Sequence, residues 1–519
     1  MLASGTPKLA VAPNIAAAWQ DYYAGRYSAC REACTALVDE GAPDGDRALA
    51  LLARLFVRLG QPGDAISVLV ARLAEFKDSN ARLAAESQLA IAHAAQSDFA
   101  SAEAVVASFS EPEAVSAPAE VRAELSYADA LVSWMKSDLA AAEATLARAE
   151  DTSPLVRGRR VMLESWIAYK RENYDAHARL MLEGAQIVQN SEIVDVGLLA
   201  GAARAICSLA REIYIPNLVR RARELYDAVD WTAEVSVDRF AAARSLGWAL
   251  ALQGPERYFE SLRLLHQASS SAPTPAWQVF SLLDRAAMKR YAGELASSSA
   301  DLYEALELTR TVNWGETAND ERMGLVYAAE LFAPVDATEA ASLLSRFNQM
   351  RESYSARMAM RGDRLLEAIT AYSTGVVQQA LKDGRKARHF FESAYFIFEQ
   401  INHKWRAAET ALRLHQVTQD QSWHEAARLQ IRDYPNSWIA ADIREASTGI
   451  GDDGWNRLTP RQREVFNALC EGLTAKRIGE RLKCSPNTVR NHIHWVYQAF
   501  RVQSQPELIT EARKRKLIS

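Results

Sequence analysis

Two stretches of the amino-acid sequence decide its fold: RLGQPGDAISVL, from Arg58 to Leu69, and QSDFASAEAVV, from Gln96 to Val106. Each has a small residue shortly upstream, a helix-breaking junction nine residues later, and a second small residue three beyond that. In these two copies the triplets are Ala53/Pro62/Ala65 and Ala90/Phe99/Ala102. The same triplet occurs as Ala18/Tyr27/Cys30, Ala130/Leu139/Ala142 and Ser165/Tyr174/His177, so successive junctions lie 35, 37, 40 and 35 residues apart. Looser copies follow at Ala210/Val219/Ala222, Ala249/Tyr258/Ser261, Ala286/Leu295/Ser298, Ala328/Ala337/Ala340 and Gly375/Gly384/Ala387. Small residues at two fixed places let paired antiparallel helices approach closely, and the junction residue plugs the turn between them. The period predicts an array of helical hairpins, an α-solenoid, over roughly residues 12 to 440.

Composition agrees. Of 519 residues 49% are hydrophobic and 24% charged, with only 23 Gly and 16 Pro, which excludes a disordered chain and favours helix over strand. The expected fold class is all-α. No apolar run reaches the length of a membrane span, and the first residues lack the pattern of a cleaved leader, so a cytoplasmic location with no membrane partner is expected. Five cysteines, an odd number, point to thiols in a reducing compartment. Cys30 and Cys34 sit four apart with no second ligand pair, which reads as core rather than metal. The aromatics Trp19, Tyr22, Tyr23, Trp166 and Tyr169 fall at helical spacing and read as core or turn plugs. The basic runs Arg157, Arg159, Arg160 and Arg220, Arg221, Arg223 read as solvated helix faces.

The hairpin pattern resembles the tetratricopeptide repeat, most clearly in the two stretches quoted. The resemblance implies a concave surface that binds a small molecule, a peptide or a protein.

Charge divides the chain. Residues 455–519 hold 13 Lys and Arg against 5 Asp and Glu, a net +8, which leaves 47 against 60, or −13, on residues 1–454. A small basic end on a large acidic body suggests a nucleic-acid module carried by something that binds something else. The boundary is STGIGDDGWN, with three glycines and no amphipathic pattern, so the domains are read as 1–446 (repeat array), 447–456 (linker) and 457–519 (basic domain).

Within the basic end, Thr459 and Pro460 open a helix expected over 460–471, which Gly472 ends. Thr474 caps a short second helix to about Leu482. Ser485 caps a third that opens with Pro486 and runs to about Phe500. Two short helices joined by a tight turn make a helix-turn-helix. On the third, Val489, Ile493, Val496, Tyr497 and Phe500 form the inward stripe, while Asn487, Arg490, Asn491, His494 and Gln498 form the outward face. Arg can make two hydrogen bonds to guanine and Asn two to adenine, which is what major-groove reading requires. Thr488, Lys476 and the Ser485 cap can donate to phosphates.

The segment LTPRQREVFNALCEGLTAKRIGERLKCSPNTVRNHIHWVYQAF resembles the LuxR-type (GerE-like) DNA-binding domain, through its LTPR-REV opening, its EGLT turn and its S-x-x-TVRNH segment. The resemblance implies four helices, with the third in the major groove and the fourth at a dimer contact. It implies Arg490, Asn491 and His494 toward bases, and Thr488 and Lys476 toward phosphates. Double-stranded promoter DNA and RNA polymerase are the implied partners. Leu508, Ile509 and Ala512 of a fourth helix could supply a homodimer surface or close the domain's own core. Ala475 and Arg477 stand where the family has a polar residue and an acid.

No phosphate-binding loop, HExxH, GxSxG or CxxC motif occurs, so no catalytic residue, metal or cofactor is expected. The expected function is a transcriptional regulator whose repeat array receives a ligand or partner. The alternative is a non-catalytic adaptor whose array binds peptides or proteins.

Overall fold

The computed structural model describes residues 14–317, 319–352, 362–448, 455, 458, 460–482, 484, 486–500, 502–514 and 517–518. Among them the ordered elements are all helices, with no strand. By its internal contacts the chain divides into two compact units: Met1–Leu209 with Arg220–Ala242, and Ala210–Val219 with Ala243–Ser519. Of the linker read at 447–456, only Ser447, Thr448 and Trp455 lie within the described residues.

The repeat triplets fall where the hairpins need them. The second helix of a pair starts on the junction residue itself in Tyr27–Asp39, Pro62–Arg72, Phe99–Ala107, Leu139–Leu146, Tyr174–Gln189, Tyr258–Ser270, Leu295–Thr311, Ala337–Glu352 and Gly384–Gln400. In Leu218–Ala228 the junction residue Val219 is second. Ala18, Cys30, Ala53, Ala65, Ala90, Ala102, Ala130 and Ala142 are completely buried, as backbone-to-backbone approach demands. Where serine takes the small position, its hydroxyl is spent across the hairpin. Ser165 Oγ donates to the carbonyl of His177 at 2.9 Å, Ser261 Oγ to that of Gly247 at 2.7 Å and Ser298 Oγ to that of Ala286 at 2.7 Å. A buried hydroxyl is thereby satisfied without widening the contact. At Gly375 nothing larger fits, because a β-carbon there would stand 2.6 Å from the Phe391 ring.

The turns share a second feature that composition hides. The residue two before the junction adopts the left-handed conformation at Gly25, Gly60, Ser97, Ser137, Glu172, Asn217, Gly293 and Lys382, with φ between 62° and 78°. The next residue often caps the new helix through its side chain. Asp98, Asp138, Asn173 and Asp383 each accept from the backbone N–H three residues on, at 3.0–3.2 Å.

In the first unit, Arg159 departs from the solvated face expected of it. It meets the Glu124 carboxylate at 3.0 Å, and Arg54 approaches the same carboxylate from another helix. Burial alone would raise the Glu124 carboxyl, but Arg159 and Arg54 hold it well below the usual carboxylate range. Cys30, Cys34 and Cys207 are buried free thiols, and burial raises the Cys207 thiol further.

In the second unit the hairpins converge on an aromatic box. Tyr291 stacks on Trp438 with ring centroids 4.5 Å apart. Trp248, Trp405 and Trp438 lie within 5.8–6.3 Å of one another, and Trp405 Nε1 donates to the Arg211 carbonyl at 2.8 Å. No described helix is long and apolar enough to cross a membrane.

Two substitutions test the hairpin rules by urea unfolding. Gly375→Ala drives a methyl into the Phe391 ring and is expected to destabilise the chain by roughly 1–3 kcal/mol. Ser137→Gly relieves a left-handed serine and is expected to stabilise by roughly 0.5–1 kcal/mol. The opposite sign in either variant would contradict the packing described.

Candidate nucleic-acid interface

The basic end builds its site from four helices, Pro460–Cys470, Ala475–Leu482, Pro486–Phe500 and Gln505–Lys514. Gly472, at φ +84°, terminates the first where the sequence expected it to stop. The second and third form the helix-turn-helix. Its core is Leu458, Val465, Phe466, Leu469, Ile478, Val489, Val496, Phe500, Leu508 and Ala512 with their neighbours, and Phe466 stacks on Phe500 at 4.8 Å. Of the inward stripe, Val489, Val496 and Phe500 are buried, while Ile493 and Tyr497 pack partly buried against them.

The fourth helix is fastened at its N-terminal end. Ser504 and Glu507 cap it reciprocally: Glu507 accepts from Ser504 Oγ at 2.9 Å and from the Gln503 N–H at 2.8 Å. Gln505 Nε2 donates to the Leu469 carbonyl at 2.7 Å, which covers the C-terminal end of the first helix. Leu508 and Ala512 are completely buried within this one chain. These two close the domain's own core, while Ile509, the third residue of that set, is only partly buried.

On the outer side, Lys476 and Arg477 are exposed at the start of the second helix, and Thr488 and Arg490 in the first turns of the third. Asn487, Asn491 and Gln498 occupy helical positions on the same third helix, with side chains outside the described residues; Ser485 lies outside them altogether. His494 follows Arg490 by one turn, and its Nε2 lies 2.7 Å from the Ala292 carbonyl of a repeat hairpin in the same unit. Its neighbour Trp495 packs its ring 5.5 Å from that of Tyr258. His494 and Trp495 are therefore engaged by repeat hairpins of the same unit. Trp495 was missed by the sequence reading, although a tryptophan beside the polar face of an amphipathic helix was the available signal. His492 is half-buried, and burial and then the nearby Arg461 push its imidazole below its usual value. No cluster of metal-ligating side chains is found among the described residues. Cys470 is raised to about 11 by burial and then by Glu471, so its thiol stays protonated and unreactive.

The geometry can present a short positively charged helix to a groove while its cap and preceding helix meet a phosphate backbone. Residues 456–512 match the family model of bacterial regulatory proteins, luxR family. The terminal domain is a LuxR-type helix-turn-helix. Proteins of Mycobacterium bovis and Mycobacterium tuberculosis, provisionally named HTH-type transcriptional regulators, are 34% identical over 118 residues. That alignment takes in 21% of this chain and only 12% of the relatives' length. The chain is also similar to a crystal structure of the APC/C hetero-tetramer Cut9–Hcn1, with 13% identity, 95% of each chain covered and a TM-score of 0.29. Against the structure of Naa15/Naa10 bound to HypK-THB the values are 14% identity, 95% and 84% coverage, and a TM-score of 0.20. The hairpin assignment above rests on the helices' own packing.

Leu508→Ala separates core from interface. It is expected to cost the LuxR-type domain roughly 2–5 kcal/mol by emptying a buried site. Because the contact lies within one chain, the loss should be the same at low and high protein concentration; a loss that disappears on concentrating the protein would restore the interface role.

Proposed function

We propose that the chain is a DNA-binding transcriptional regulator without catalytic activity. Its LuxR-type domain reads promoter DNA in the major groove, and its helical hairpins receive a regulatory ligand or protein partner. What carries the reading is the LuxR-type helix-turn-helix with Thr488, Arg490 and Lys476 exposed. In this reading Arg490, Asn491 and His494 face bases, with Asn487 and Gln498 beside them. Thr488, Lys476 and Ser485 face phosphates. RNA polymerase contact, a homodimer on paired half-sites, a cytoplasmic location and separately folding parts at 1–446 and 457–519 belong to the same proposal. Charge supports it: the +8 end is drawn to a polyanion, whereas the −13 body is repelled within a Debye length of about 8–10 Å. A second half-site would bind with additive free energy, limited by linker geometry.

Fluorescence anisotropy of the full chain on labelled duplexes tests the assignment. Binding should weaken steeply as salt rises. Arg490→Ala should lower discrimination between cognate and scrambled duplex by about 1–3 kcal/mol through one lost two-bond base contact. Lys476→Ala should weaken both duplexes alike. Equal discrimination in the two variants would contradict the roles given them, and salt-independent or absent duplex binding would favour the adaptor.

A further inference from the structure

The second unit holds a partly open cavity of about 390 Å³ beside the aromatic box, within the size range of small-molecule sites. Its charged lining is balanced: the carboxylates of Glu330, Glu409 and Asp442 face the guanidiniums of Arg290, Arg413 and Arg444. Some of that charge is already matched inside the protein, since Arg406 meets Glu330 at 3.0 Å and Glu409 at 2.8 Å. Asp442 is different. It makes no hydrogen bond or ion pair among the described residues, and it stands one helical turn from Trp438 on the helix Trp438–Thr448. Its residue surface stays exposed at the cavity rim, yet desolvation by the surrounding protein, with Glu409 and then Glu445 adding repulsion that Arg413 and Arg290 only partly offset, pushes its carboxyl up to about 6. Trp438 contributes the second group, because its buried Nε1–H has no acceptor among the described residues. A buried donor is costly unless something fills it, and the rim carboxylate beside it offers a counter-charge one helical turn away.

Two residues of the LuxR-type domain, Gln462 and Trp495, complete the same wall. The cavity therefore exists in this form only while the recognition helix is held through His494 and Trp495.

We propose that this cavity binds a small zwitterion, a free amino acid or short peptide. Its ammonium is taken by Asp442, its carboxylate by Trp438 Nε1 and the arginines, and its side chain by the Tyr291–Trp438 stack. With Glu330 and Glu409 already paired to Arg406, a lone cation would be repelled by the three lining guanidiniums and a lone anion would leave Asp442 without a counter-charge, whereas separated opposite charges suit both. Aromatic faces also favour the ammonium end. Since Gln462 and Trp495 form part of the site, the ligand favours the docked arrangement, and by linkage it opposes DNA binding to the same degree that DNA opposes it. This last step rests on the regulator reading above, whereas the site itself does not.

Calorimetric titration of the full chain, without DNA, uses L-phenylalanine, L-leucine and L-alanyl-L-phenylalanine as probes, with phenethylamine and 3-phenylpropanoate as single-charge controls. At least one zwitterion should bind, with both controls at least tenfold weaker. Asp442→Asn, and separately Trp438→Phe, which keeps a ring but removes the N–H, should each weaken binding at least fivefold. If no zwitterion bound at millimolar concentration, or a single-charge control bound as tightly, the ligand assignment would fall. In a second arm, the bound zwitterion should weaken duplex affinity at least threefold in the full chain. Duplex binding unaffected by a saturating zwitterion would overturn the coupling. Zwitterion binding with no duplex binding at all would overturn the regulator reading and leave the site standing.

Discussion

The close approach of paired helices at small residues is the constraint on which the rest depends. With Ala, Ser, Cys or Gly at two fixed places, hairpin backbones come near enough for Ser298 to reach the Ala286 carbonyl at 2.7 Å and for Phe391 to leave no room for a β-carbon at Gly375. Close packing of this kind tolerates few changes in volume. It is also local, since each triplet closes one hairpin whatever the spacing to the next. Hence junctions can drift from 35 to 47 residues apart and still seed the same element.

This explains what the sequence revealed and what it withheld. Hairpin helices and the four terminal helices were legible because their signals lie within about a dozen residues: the triplets, Pro460, Gly472 and Pro486. The left-handed turn residue was legible at Gly25 and Gly60 but hidden at Ser137, Glu172 and Lys382, where the surrounding turn imposes a conformation that the residue itself disfavours. Arg159 looked like part of a solvated run because its partner Glu124 lies 35 residues away on another helix.

The recognition helix was read correctly as a helix and incompletely as a surface. Its inward stripe follows from spacing. That His494 meets Ala292, 202 residues earlier, follows from no local pattern. Thr488 and Arg490 are exposed, whereas His494 and Trp495 are half-buried against repeat hairpins of the same unit.

A hairpin that closes through contacts a dozen residues apart can form as soon as its own segment is available, without waiting for the rest of the chain, and such local closure is fast. The contact between His494 and Ala292 belongs to the other extreme: it closes a loop of 202 residues and carries a larger closure entropy than any hairpin. Closing a hairpin and restraining the recognition helix thus draw on different entropic costs, the first local and the second spread over much of the chain.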